Sequence, residues 1–265
     1  MEKVMIILDK PAGKTSFQVC DAVRKKLKAR KAGHAGTLDP NVTGILLIAL
    51  NRATKLMPLL ERLNKEYEGR AHLHKDTTIK KIKSTIKKKF LGKIKQLPPR
   101  KSRVKRQERE RTIYEFKITK KKDRNFNFKV KCEAGTYIRK LIHDLGQELK
   151  VGAQMTQLRR IRQGPFSIRQ ATKIEKLTKK NIIPAEKLIS KVSAIISITK
   201  NAKEKLRQGK FLEAKDIKRI KGKFEKEKVV AAFSGKDVIA LVKPFFNSSK
   251  IRKQKDKVLK PKRII

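Results

Sequence analysis

Residues 4–8 form a short unbroken apolar run ended by Asp9-Lys10-Pro11, a pattern that predicts a buried strand feeding a loop through Gly13. Thr15 and Ser16 then offer an N-cap. Phe17, Val19, Val23 and Leu27 recur at roughly helical spacing, with lysines and arginines gathering toward the end, where cations complement the helix dipole. This helix is expected to close between Arg30 and Gly33. A second unbroken run, 45–50, is too short for periodicity to separate strand from helix. Its β-branched residues and flanks favour a strand, followed by a helix over 53–63. Residues 69–74 alternate and predict a further strand.

Residues 75–111 are the least periodic part of the first half. Lysine-rich runs, Pro98-Pro99 and a basic string from Arg103 to Arg111 predict a basic helix over 79–90, then a segment suited to phosphate contact. Residues 112–118 and 125–132 alternate and are joined by a polar stretch, 120–125, as in a hairpin. An amphipathic helix is expected over 137–149, ending near Gly152. Past Pro184 the pattern changes to short strand candidates at 192–198, 229–233 and 238–242, with a helix near 202–208. Two domains are therefore expected, 1–184 and a small β-rich unit over 185–265, with 75–111 as an irregular, basic part of the first.

Composition narrows the partner. The 72 lysines and arginines outnumber 24 acidic residues, for a formal charge of +48, which repels itself unless a polyanion accompanies it. Nucleic acid fits, although lysine spread along the whole chain makes the sign more informative than the size. A hydrophobic content of 38% over 265 residues is enough for a core. Cys20 and Cys132 lie far apart, outside any CxxC pattern, which suggests neither a disulfide framework nor a zinc site. No apolar run approaches the roughly 20 residues that span a bilayer, and residues 1–3 do not resemble the start of a signal peptide. A reduced, cytoplasmic setting is expected, with no membrane.

The stretch Gly33-His34-Ala35-Gly36-Thr37-Leu38-Asp39-Pro40 carries the densest chemistry. Its glycines permit positive φ or a close approach to a ligand, and Pro40 biases Asp39 away from the α region. The pattern fits either an active-site loop that presents a carboxylate or an ordinary Asp-Pro surface turn.

This octet resembles the signature loop of the TruB family of RNA pseudouridine synthases, in particular its archaeal and eukaryotic dyskerin-like branch. Similar motifs follow in family order: Leu8 to Ser16, Val42 to Leu50, Lys65-Glu66-Tyr67, Cys132 to Arg139, Leu158-Arg159-Arg160 and Gly164-Pro165-Phe166. The resemblance covers roughly residues 1–190. It implies a mixed α/β (α+β) catalytic domain around a largely antiparallel sheet, with the cleft across its middle, followed by a small β-barrel similar to a PUA domain. Lys260 to Ile265 is like the last PUA strand, while 247–257 departs from that pattern.

The implied reaction is isomerisation of uridine to pseudouridine, with no cofactor and no metal. Asp39 takes the family's catalytic position, where it either attacks the sugar as a nucleophile, as carboxylates do in glycosidases, or begins proton removal there. Arg139 would face it and favour its charged form. Tyr67 would stack on the uracil and assist with the proton on carbon 5. His34 would fill the place of the extruded base, and Thr37, Ile138 and Leu158 would line the substrate pocket. Arg159, Arg160, Arg103 and Lys105 would meet the RNA backbone, while Lys10 and Pro11 read as scaffolding beneath the Asp39 loop. The substrate implied is tRNA, at its T-loop uridine, or rRNA under an H/ACA guide RNA with ribonucleoprotein accessory proteins, or both. A non-catalytic RNA chaperone retaining the fold is the alternative, and it predicts loss of Asp39, Tyr67 or Arg139. All three are present.

Overall fold

The computed structural model describes residues 3–98 and 105–265. In chain order the elements of the first part are β1 (Lys3–Lys10), α1 (Ser16–Lys26), β2 (Ala32–His34), β3 (Thr43–Asn51), α2 (Met57–Glu61), β4 (Lys65–Leu73), α3 (Ile79–Lys89), β5 (Gly92–Gln96), β6 (Arg109–Lys122), β7 (Asn125–Cys132), α4 (Ile138–Glu148) and β8 (Ala153–Gln163). Short pieces follow: β9 (Phe166–Ser167), β10 (Thr172–Lys173), β11 (Ile183–Pro184) and α5 (Ala185–Ile189). The last part holds β12 (Ile195–Ile198), α6 (Lys200–Arg207), β13 (Leu212–Glu213), β14 (Ile217–Lys221), β15 (Val230–Ser234), β16 (Asp237–Pro244) and β17 (Lys257–Ile264).

The larger sheet runs β10-β1-β3-β8-β4-β7-β6-β5 and is mixed but mostly antiparallel. Parallel pairing occurs where β3 meets β8, through Thr43 opposite Arg159 and Gly44 opposite Arg160, and where β1 meets β10. β1 and β3 are covered on both faces. Ile6, Leu8, Leu46 and Ile48 pack under α1, while Met5, Ile7, Ile45 and Leu47 pack with α2, α5 and the second sheet. A strand buried on both sides has no polar face, which is why these runs are unbroken rather than alternating. β4, β6, β7 and β8 instead have one wet face, and they bury Ala71, Phe116, Phe126, Phe128 and Val130 against α3 and α4.

The second sheet, β13-β17-β16-β15-β12-β14, encloses its own core of Ile196, Leu206, Val230, Val242 and Leu259 beneath α6. Its other face is not free. Phe233, Val238, Leu241 and Ile265 join the cluster that holds Met5, Leu47 and Met57, so an apolar seam connects the two sheets. Lys3 closes the edge of that seam by pairing with Glu186 at 2.9 Å and Asp237 at 3.4 Å.

Several expectations change. α1 begins with a capping box in which Thr15 accepts from the Gln18 N–H and Gln18 returns the contact. Its buried stripe runs through Ser16, Val19, Cys20, Val23 and Leu27, so Phe17, about 100° round the axis, is 76% exposed instead of packed. The helix stops at Lys26, with Lys28 at φ 50, and residues 32–34 become a strand on β3. The helix expected over 53–63 is a 3-10 turn, Arg52–Leu56, followed by the short α2. The basic helix and the hairpin form as expected, the hairpin turning tightly at Asp123 (φ 50).

Candidate active site

The loop between β2 and β3 is pinned on every side except at its carboxylate. Ala35 is fully buried, with its N–H on the Leu47 carbonyl at 2.9 Å and its carbonyl accepting from Gln163 Nε2 at 3.0 Å. The Ser16 hydroxyl donates to the Leu38 carbonyl at 3.0 Å and accepts from the Leu38 N–H at 2.8 Å. Beneath them Lys10 donates to the carbonyls of Pro11, Pro40 and Val42 at 2.7, 2.9 and 2.8 Å, which satisfies all three of its N–H bonds inside the protein. Burial lowers the Lys10 pKa, and the Asp39 charge opposes that shift. Lys10 is thus the scaffold its sequence position suggests.

Asp39 is left half exposed, and its carboxylate pairs with the guanidinium of Arg139 at the start of α4. Ion pairs this open to solvent add about 0–1 kcal/mol to stability, so the pairing matters for orientation more than for folding. Thr37 is exposed on the same loop.

The floor of the site is built by β4 and β8. Tyr67 lies opposite Arg160, and Gly69 opposite Leu158, so Tyr67, Leu158 and Arg160 share a face while Glu66 and Glu68 turn the other way. Tyr67 is buried, and burial raises its phenol pKa against the lowering effect of Arg160 beside it. The ring is therefore a neutral phenol held by a cation. Leu158 packs partly buried against the same cluster.

One expected residue takes a different role. Arg160, expected on the RNA backbone, is 1% exposed. Its Nε donates to the Ile45 carbonyl at 2.8 Å and its Nη2 to the Gly36 carbonyl at 3.1 Å, so it ties β8 to β3 and to the Asp39 loop. Strand parity explains the difference: Arg159 and Arg160 point to opposite faces, and only Arg159 reaches the surface, where it pairs with Asp9 at 2.7 Å. Ile138, expected against the substrate, is 4% exposed in the same cluster as Tyr67, with Leu158 packed against it. Lys105 is exposed, and Arg103 lies outside the described residues, as does Pro99 of the Pro-Pro segment.

Close approach dictates two glycines. Gly36 takes φ +87 where a Cβ would stand 3.4 Å from Arg160 Nη1. Gly44, at φ +110, would drive a Cβ to 2.2 Å from the Arg160 carbonyl oxygen, so no larger residue fits the β3–β8 junction.

Sequence reasoning missed Ser16, Gln163 and Lys65. Lys65 is buried with its Nζ on the Glu61 carbonyl at 2.5 Å, and burial together with Arg160 brings its pKa down to about 8. Below pH 8 both native and unfolded chains hold this proton, and the native state bears the full penalty of a buried charge. Between pH 8 and the ordinary lysine value the native state loses the proton first, so stability rises with pH. Lys65→Met should abolish that rise, on the order of 3 kcal/mol, in urea midpoints measured from pH 7 to 10.5. An unchanged pH profile would remove Lys65 from the account. Its sequence signal was parity with Tyr67 in one strand.

His34 sits half buried at the end of β2. Burial and Arg160 lower its pKa, and its Nδ1 is buried without a hydrogen-bond partner. Both thiols are buried, and burial raises Cys20 to about 11 and Cys132 to about 12, which keeps them protonated and unreactive at neutral pH. Among the described residues there is no cluster of His, Cys, Asp and Glu that could hold a metal, and no helix is long and apolar enough to cross a membrane.

Comparison with known proteins places this geometry. Residues 24–138 match the N-terminal domain of TruB family pseudouridylate synthase, and residues 139–197 match the C-terminal domain of tRNA pseudouridylate synthase B. A probable tRNA pseudouridine synthase B of Methanococcus aeolicus is 44% identical over 174 residues, which cover 66% of this chain and 52% of that protein. The chain spans about half the length of this and other curated relatives it matches. Among solved structures, Cbf5 in a Cbf5-Nop10-Gar1 complex superposes with a TM-score of 0.89 at 34% identity, covering 98% of this chain and 84% of that one. An H/ACA RNP bound to a substrate RNA containing 2'-deoxyuridine gives a TM-score of 0.85 at 33% identity, over 98% of this chain and 84% of that one. The ordered motifs, the Asp39 loop and these matches agree, and the chain belongs to the TruB family of pseudouridylate synthases.

Proposed function

We propose that this protein is an RNA pseudouridine synthase that isomerises uridine to pseudouridine in tRNA, in rRNA under an H/ACA guide, or in both. The observation that carries the reading is Asp39, presented half exposed on a pinned loop, paired with Arg139 and close enough to the buried Tyr67 to act on its phenol electrostatically. The reaction breaks the N-glycosidic bond, turns the uracil and rejoins it through carbon 5. Asp39 acts at the sugar, as nucleophile or in proton removal. Arg139 aims it through their ion pair, and Tyr67, a neutral phenol, is suited to the proton on carbon 5. His34 fills the gap left by the extruded base, Thr37 and Leu158 border the uracil, and Arg159, Lys105 and Arg103 meet phosphates. Names of the relatives support tRNA, and the Cbf5 and H/ACA complexes support a guide RNA and accessory proteins. Buried free cysteines suit a reduced, cytoplasmic setting.

In this reading the chain divides into a catalytic domain over 1–184, with 75–111 facing RNA, and a PUA-like RNA-binding domain over 185–265. Support for RNA contact in the second comes from a stacked ring pair, Phe211 and Phe245, with centroids 5.9 Å apart and planes inclined by 16°. Lys257 and Lys260 stand 5.1 and 6.0 Å from the Phe211 ring. Half-buried rings flanked by cations suit an unpaired base and its phosphate. Phe211→Ala should weaken binding of single-stranded RNA about tenfold in fluorescence anisotropy, and unchanged affinity would remove this platform from the RNA surface.

The test of the activity is pseudouridine formation on an unmodified tRNA transcript without guide RNA. Product from the wild type establishes both the chemistry and a partner-free substrate. Silence there, followed by silence in a reconstituted guide complex, would favour the chaperone reading.

A further inference from the structure

Beside His34 the surface opens into a groove of about 730 Å³ that the Asp39 chemistry does not use. Its two walls come from different sheets. Lys31 and His34 flank β2, Lys55 and Met57 belong to the turn and helix after β3, and Arg263 and Ile264 end β17. The floor is apolar, with Ala32, Met57 and Ile264, and it rests on the seam cluster of Met57, Phe233, Val238 and Ile265 that joins the two sheets. The rim carries three cations, Lys31, Lys55 and Arg263, against one carboxylate, Glu61.

An apolar floor under a cationic rim matches a nucleotide, which needs a surface for its base and positive charge for its phosphate. The volume lies within the roughly 300–1,000 Å³ of sites that hold a small organic ligand, enough for about one or two nucleotides. The place matters as much as the shape. Ala35 and the Asp39 loop continue directly from His34, so a strand leaving the cleft past His34 enters this groove. His34 itself lines the same wall.

The geometry points to this groove as a subsite for the single-stranded RNA flanking the target uridine, with Lys31, Lys55 and Arg263 on its phosphates. The inference rests on the pseudouridine synthase reading for its substrate, and it assigns the last strand of the second sheet a direct part in substrate binding. The carboxylate of Glu61 sets the side of the rim that the backbone avoids.

The test compares two stem-loop RNAs with the same target uridine, one ending at the loop-closing stem and one with about four unpaired nucleotides on each side of the uridine. The flanked RNA should bind wild type about tenfold more tightly. Arg263→Glu and Lys55→Glu should each erase that gain, together with about 0.7 of a unit of log–log salt slope, and leave the flankless RNA bound as before. Lys120→Glu, an equal charge change beside the β6–β7 hairpin, should keep the gain. Equal thermal midpoints confirm folding of these surface variants. If the gain survives both groove variants, or wild type shows no gain while it isomerises the flankless RNA, the subsite is refuted. If neither RNA is isomerised, alone or in a reconstituted guide complex, but the gain is lost in both groove variants, the subsite stands and the isomerase reading falls.

Discussion

Asp39→Ala should lower pseudouridine formation by roughly ten-thousand-fold, the usual scale for removing a group that acts at the reacting atom, while RNA affinity changes by less than about threefold. The two effects separate because they rest on different parts of the molecule. Affinity for a polyanion comes from phosphate contacts, and this chain has basic groups in excess over its whole surface. The Asp39 side chain pairs outward with Arg139, and the loop is held through main-chain groups that the substitution keeps, by Lys10, Ser16, Gln163 and the Val42 N–H on the Asp39 carbonyl. Its removal takes one negative charge away from the RNA side, which favours binding if it changes it at all. Single-turnover assays beside anisotropy titrations check both numbers. Residual turnover above about a tenth of wild type would end the assignment of Asp39.

Arg160→Met is expected to cost about 3–5 kcal/mol of stability, the range for breaking a buried charged network, and to lower the midpoint of thermal unfolding by on the order of 10 °C. The substitution strands the carbonyls of Ile45 and Gly36 and removes the cation beside Tyr67. Isomerisation should fall further than the folded fraction does, since the Asp39 loop and Tyr67 both lose a common anchor. Arg160→Lys should not restore it, because one ammonium cannot reproduce the fork that reaches β3 and the loop together. A phosphate-binding arginine behaves in the opposite way, with an unchanged midpoint and a salt slope lower by about one unit. Calorimetry and a salt titration on the same variant therefore decide between the two roles.

The chemistry was legible in the sequence because it sits in short, local patterns. Asp39 was singled out by its place between glycines and a proline, Tyr67 and Arg139 by the resemblance of their motifs to the family's, and the three positions were consistent with one reaction. With one face wet, β4, β6, β7, α3 and α4 were legible, since alternation and helical spacing mark the buried side, whereas β8, with an irregular burial pattern, was not. Where both faces are covered, as in β1 and β3, the pattern loses its period and only length and flanks remain to be read.

What the sequence by itself determined is the hairpin, the helices α1, α3 and α4, the motif residues and the polyanion-seeking charge, because each depends on neighbours within a few positions or on composition alone. Tertiary structure decided the inward turn of Arg160, the burial of Lys65 and Ile138, the exposure of Phe17 and the seam between the sheets. Those outcomes depend on which strand lies beside which. The fate of Arg160 is fixed by the pairing of β8 with β3 and β4, more than 80 residues away in the chain, and no local pattern records that pairing. A charged side chain is ordinarily read as surface because burying it alone is costly. It is stable inside only when carbonyls from distant segments, here Ile45 and Gly36, meet its N–H groups in the folded chain.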